Sequence, residues 1–161
     1  DFYLPQDMEK IITRSARVLN IPATPEAIRH LASASRFTPR VANRLLKRAR
    51  DYAQVHGTGA ITEDIARMTL KLLDIDDRGL EPMDRRILET VIKKFGGGPV
   101  GIQSIAAASS EEEDTIEEVY EPYLMQLGFL ERTSRGRVAT ELAYRHIGLA
   151  SPGQKSLLSP S

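Results

Sequence analysis

The chain has 161 residues, 41% hydrophobic and 27% charged, with no cysteine and with 22 acidic against 22 basic residues. This composition suits one ordinary soluble domain or two small ones, and it excludes a disulfide framework and a thiolate metal centre. Zero formal net charge means that a polyanion would have to be held by a local patch rather than by the overall field.

Up to Asp77 the sequence reads as four helices. Residues 5–19 carry Met8, Ile11, Ile12, Ala16 and Leu19 at helical spacing, and the segment stops near Asn20-Ile21-Pro22. Thr24-Pro25-Glu26 is an N-cap with proline at the first helical position, and Thr38-Pro39 repeats the device for a third helix reaching about Tyr52. Thr62-Glu63-Asp64 caps the fourth. Turn formers and like charges in Asp74-Ile75-Asp76-Asp77-Arg78-Gly79 mark a linker.

A second module follows. Residues 82–95 are helical, Gly96-Gly97-Gly98-Pro99 is a turn, Ile102 to Ala108 is a short helix, and a third helix opens near Glu111-Glu112-Glu113-Asp114. Pro122 is expected to kink that helix or start a new segment. Phe129 to Arg132 and Arg137 to Thr140 flank the polar turn Thr133-Ser134-Arg135-Gly136, a β-hairpin signal. The fold class is therefore mainly α: a helical bundle over residues 1–77, then three helices and a hairpin wing over 78–148, the element order of a winged helix. Residues 149–161, rich in Ser, Pro and Gly, read as a disordered tail. The absent start methionine suggests a fragment. No apolar run reaches the roughly 18 residues of a membrane helix, so no membrane partner is expected.

The charges are unevenly placed. Residues 78–131 hold 5 bases and 11 acids, whereas residues 132–148 hold Arg132, Arg135, Arg137 and Arg145 against Glu141 alone. Seven acids lie on or just before the third helix, where they would repel phosphates. If this module touches DNA, contact falls to the wing arginines Arg132, Arg135 and Arg137, giving sequence-tolerant, salt-sensitive binding. The other reading is that these arginines merely solvate a hairpin.

Between Arg36 and Arg50 six bases precede the first acid, Asp51. Arg40 sits beside the exposed amides of a helix start, where an anion is favoured; a solvated amphipathic face is the competing account. The glycine run is not a phosphate loop, because no Gly-Lys-Ser/Thr follows and it comes after a helix rather than a strand. His30, His56 and His146 are too far apart in sequence to suggest a metal-ligand pair, and no metal site is expected.

Five stretches resemble the RuvB family of bacterial Holliday-junction branch-migration motors: Thr38-Pro39-Arg40-Val41-Ala42-Asn43-Arg44-Leu45-Leu46, Met83-Asp84-Arg85-Arg86-Ile87-Leu88, Phe95-Gly96-Gly97-Gly98-Pro99-Val100-Gly101, Tyr120-Glu121-Pro122-Tyr123-Leu124 and Arg135-Gly136-Arg137-Val138-Ala139-Thr140. The resemblance covers about residues 1–148. It implies a AAA+ helical lid followed by a winged helix, without the ATPase core and its phosphate loop, so this chain is expected not to hydrolyse ATP alone. It implies that Arg40 is a sensor-2 arginine reaching the γ-phosphate of ATP, with Pro39 lining the pocket, and that ATP with Mg is bound mainly by the missing domain. Arg132, Arg135 and Arg137 would contact the backbone of double-stranded DNA. The implied partners are duplex DNA, Holliday junctions, RuvA through the missing domain, and further copies in a homo-hexamer, in the cytoplasm. Phe37 stands where the resemblance leads us to expect glycine. A different reading makes the chain a free-standing winged-helix adaptor that binds protein through its acidic helix.

Overall fold

A computed structural model describes residues 3–152. Contacts divide the chain into two compact units, Asp1–Glu81 and Pro82–Ser161.

The first unit is a bundle of α1 (Pro5–Val18), α2 (Pro25–Ser33), α3 (Pro39–His56) and α4 (Glu63–Leu72). Three of the four helices start on a threonine whose hydroxyl accepts the amide three residues on: Thr24 from Ala27, Thr38 from Val41 and Thr62 from Ile65. Each such cap is worth about 1 kcal/mol. The apolar stripes converge on one core with Met8, Ile12, Leu31, Leu45, Leu46 and Ile61 fully buried. Burying each of the large side chains among them contributes about 1.5–3 kcal/mol, which outweighs the modest propensity of helices this short. The loop before α4 is tied to the loop before α2 by a parallel bridge, in which the Ile61 amide donates to the Pro22 carbonyl at 2.8 Å.

The acidic stretch after α4 is an ordered turn rather than a loose linker. The Asp76 carboxylate accepts the amides of Arg78 and Leu80, both at 2.9 Å, and Arg36 donates to the Gly79 carbonyl at 3.1 Å. The first compact unit ends at Glu81.

The second unit begins with α5 (Pro82–Glu89), continued by a π turn over Thr90–Lys94, and then α6 (Ile102–Ser109). The third helical stretch is α7 (Glu113–Thr115), a π turn over Ile116–Tyr120 and α8 (Glu121–Gln126). Pro122 lacks an amide hydrogen, and the chain meets this with the wider π turn just before a fresh α segment. Strands β1 (Leu130–Thr133) and β2 (Gly136–Ala139) form the antiparallel hairpin. A further helix, α9 (Glu141–Ile147), is capped by Thr140, whose hydroxyl accepts the Ala143 amide. Ile87, Leu88, Val91, Ile105, Ile116, Leu124, Phe129, Leu130 and Tyr144 are among the buried side chains of this unit.

The glycine run does more than turn the chain. Val100 pairs antiparallel with Arg137, with the Val100 amide donating to the Arg137 carbonyl at 3.0 Å and the Arg137 amide returning the bond at 2.8 Å. The run thus lays a third extended segment along β2. That approach leaves no room for side chains: a β-carbon on Gly98 would collide with the Arg137 carbonyl, and one on Gly136 with the Val100 carbonyl. Both glycines also have positive φ, +90° and +133°. The expected disordered tail lies outside the described residues from position 153 onward; before that, the Leu149 amide still bonds the Tyr144 carbonyl at 2.9 Å.

Candidate functional site

Two groups of basic residues carry the candidate chemistry, one in each unit. In the first, Pro39 and Arg40 open α3, and the first turn of that helix holds no acid. Proline has no amide hydrogen, and Thr38 accepts the amides of Val41 through its hydroxyl and Ala42 through its carbonyl. The cap thus leaves the Arg40 amide beside the Arg40 side chain. Arg40 is exposed and makes no ion pair among the described residues, while Arg44, one turn on, stands 3.8 Å from the Glu81 carboxylate. A helix start of this kind, with an exposed guanidinium on an 18-residue helix, suits an anion approaching from solvent.

The entry to this helix is sharply bent. Arg36 and Phe37 both adopt left-handed backbone, at φ 56° and 54°. Phe37 therefore keeps a conformation that a glycine would take most readily there.

In the second unit the hairpin register sets the geometry. Thr133 pairs with Gly136 and Arg132 with Arg137, leaving Ser134 and Arg135 at the turn. Directly opposed residues of an antiparallel pair project on one face, so Arg132 and Arg137 place two like charges side by side, which is unfavourable unless countered. The counter-charge is Glu121. Its carboxylate accepts from Arg137 Nε at 2.8 Å on one oxygen and from Arg132 Nη2 on the other. Arg137 also donates to Glu117 at 3.3 Å.

Burial separates the three wing arginines. The Arg137 side chain is 12% exposed and Glu121 2%, whereas Arg132 remains 56% exposed. Hydrogen bonding to Glu121, then its negative charge, raises the Arg132 guanidinium further above its ordinary range. Arg135 is exposed, has no ion pair among the described residues, and is fixed only through its backbone, whose amide donates to the Thr133 hydroxyl at 3.3 Å.

Sequence reasoning placed these arginines on the wing but missed their acid. Glu121 counted only as one of seven helix acids that repel phosphates, yet with Glu117 it balances the hairpin. A two-residue turn at Ser134-Arg135 implies the 132–137 pairing, and two opposed arginines favour a nearby carboxylate, but nothing local says which of the seven acids it is. The acids Glu112, Glu113 and Asp114 are exposed and remain on the surface at the start of that helix.

Known proteins share this order of domains. Residues 3–76 match the RuvB AAA lid domain and residues 77–148 the RuvB C-terminal winged helix domain. The chain belongs to the RuvB family. It is 56% identical over 156 residues to the Holliday junction branch migration complex subunit RuvB of Dehalococcoides mccartyi (strain CBDB1), a match covering 97% of this chain and 45% of that relative. It superposes on the Thermotoga maritima RuvB Holliday junction branch migration motor with a TM-score of 0.89 at 46% identity, covering 94% of this chain and 51% of that one, and equally on a point mutant of the same motor. The chain thus spans about half the length of the RuvB proteins it matches. Among the described residues no helix is long and apolar enough to cross a membrane.

Proposed function

We propose that this chain is the nucleotide-sensing lid and the DNA-contacting winged helix of an ATP-driven motor that moves Holliday junctions along duplex DNA. The observation that carries the DNA half is Arg135, an exposed guanidinium at the tip of a braced hairpin, with no ion pair among the described residues. It can reach a phosphate without breaking any ion pair of the fold, and a phosphate contact carries no sequence information, which a motor passing over all sequences requires. Arg132 supports it with the exposed part of its head group. Arg137, held by two carboxylates, supports the grip by fixing the wing rather than by reaching outward.

The lid half rests on Arg40. ATP with Mg, bound mainly by a domain outside this chain, supplies the phosphoanhydride whose cleavage drives such a motor. The residues here fit one edge of that site: Arg40 is free to donate to phosphate oxygens, and Pro39 and the Thr38 cap hold its backbone in place. Arg40 would report the state of the γ-phosphate to α3, and through the packed bundle to the rest of the lid. Assembly into a hexamer and delivery to junctions by RuvA belong to the same reading, which the family membership supports.

The test is fluorescence anisotropy of a labelled random-sequence duplex against this chain, from low to physiological salt, beside Arg135→Ala. Salt-dependent binding that the substitution weakens is the expected result. Equal binding by the two proteins would remove the wing from the interface. Absence of binding even at low salt would favour the reading of the winged helix as a protein-binding adaptor.

A further inference from the structure

Three guanidinium groups sit on the wing, and two carboxylates from the π turn and α8 close on two of them. Arg137 is flanked by Glu121 and Glu117, and Arg132 by the other oxygen of Glu121, so one positive charge, that of Arg135, is left uncompensated among the described residues. The opposed arginines need a counter-charge, but folding alone does not demand that two carboxylates serve Arg132 and Arg137 while Arg135 has none among the described residues. A buried ion pair contributes little net stability compared with apolar side chains of the same shape, so Glu121 is poorly explained as a stabiliser of the core. It is well explained as a limit on charge.

We infer that Glu121, assisted by Glu117, is a positioning residue that sets how many DNA phosphates the wing neutralises, by retaining Arg137 and half-engaging Arg132 so that Arg135 alone is fully free to bind. This inference rests on the proposed wing contact with duplex DNA. Each phosphate neutralised on duplex DNA steepens the fall of log K with log salt by about 0.9. A wing that kept all three arginines free would grip three phosphates at once and release them slowly, a drawback for a surface that must let go of the duplex at every step. The placement of Glu121 follows from local structure: the π turn at Ile116–Tyr120 advances the helix by one residue, and the carboxylate lies buried beneath the hairpin instead of pointing to solvent.

The experiment measures the salt dependence of binding of this chain to a random-sequence duplex for wild type, Glu121→Gln, Glu121→Gln/Arg132→Ala and Arg135→Ala, each checked by thermal melting. Glutamine keeps the size and one acceptor of Glu121 but removes its charge. The expected result is a slope steeper by about 0.9 for Glu121→Gln, a return to near the wild-type slope in the double variant, and a shallower slope for Arg135→Ala. A merely structural role for Glu121 would weaken binding and leave the slope unchanged or shallower, and that outcome, with Arg135→Ala still weakening binding, overturns the inference while sparing the wing contact. If Arg135→Ala binds like wild type, the wing contact fails and the inference with it. Should Glu121→Gln not fold, Arg132→Ala replaces it: with its head group held by Glu121, its loss must make the slope shallower by clearly less than Arg135→Ala does, and an equal loss overturns the inference.

Discussion

Arg132 and Arg137 stand directly opposite each other across the hairpin, and both guanidinium groups close on the buried carboxylate of Glu121. The pair looks equivalent in sequence, yet one member is locked beneath the wing and the other is more than half exposed. Their substitutions should therefore separate.

Arg137→Ala leaves the 2%-exposed Glu121 carboxylate with a single partner, and removing one side of a buried ion pair costs about 3 kcal/mol. Urea denaturation followed by circular dichroism should show a lower midpoint for the second unit. Arg132→Ala should melt close to wild type, because that head group is largely in solvent. Equal destabilisation by both would contradict the division of roles between them.

Phe37 holds left-handed backbone at φ 54°. Phe37→Gly and Phe37→Ala lose the same ring, but only glycine escapes the cost of that conformation, about 1–2 kcal/mol for an L residue, partly offset by its greater chain entropy when unfolded. Phe37→Gly should be the more stable of the two by about 1 kcal/mol. If alanine equals or exceeds glycine, the helix entry is not strained as described.

Gly98→Ala should destabilise the second unit by more than about 2 kcal/mol, because the added carbon meets the Arg137 carbonyl and the backbone has φ of +90°. Gly101 is the contrast. It is the N-cap of α6 at φ −73°, with open space around it and no side-chain cap, so Gly101→Ser should be tolerated or slightly stabilising. Thermal midpoints of the two variants test both statements.

Glu63 lies 3.1 Å from His30 and accepts from Arg67 at 2.6 Å, and the His30 hydrogen bond, then the Arg67 charge, hold its carboxyl below the ordinary 4.5. A depressed folded pKa contributes stability that is present above the unfolded value and is lost as pH falls through the folded one. Glu63→Gln should therefore be less stable than wild type at neutral pH, with the gap closing in acid below pH 4.5. A gap that stays constant down to strong acid would show that the charge of Glu63 contributes nothing.

Arg40→Ala should leave the melting temperature of this chain unchanged, since the side chain is exposed and makes no ion pair among the described residues. In the full-length protein the same substitution should lower ATP turnover. Normal turnover by a folded variant would count against the sensing role.

Much of this was legible in the chain itself. Threonine-proline pairs and helical apolar spacing are local signals, so the bundle helices lie close to where residues 5–73 place them, and a glycine beside a polar turn specified the hairpin. The motifs around Arg40 and the wing were enough to indicate the family. What local signals could not decide is partnership across sequence distance. Helix α9 was announced only by Thr140-Glu141, a short cap easily passed over beside a hairpin and a polar tail. The glycine run reads as a turn until its antiparallel partner, 37 residues later, shows why side chains are excluded there. Glu121 and Arg137 are 16 residues apart, and nothing in either neighbourhood distinguishes a buried carboxylate from a solvated one. Only folding the π turn and α8 onto the wing brings them within 2.8 Å, and in that desolvated setting two opposite charges must pair. The sequence determined which residues carry charge; the tertiary structure decided which of those charges remain free to meet a ligand.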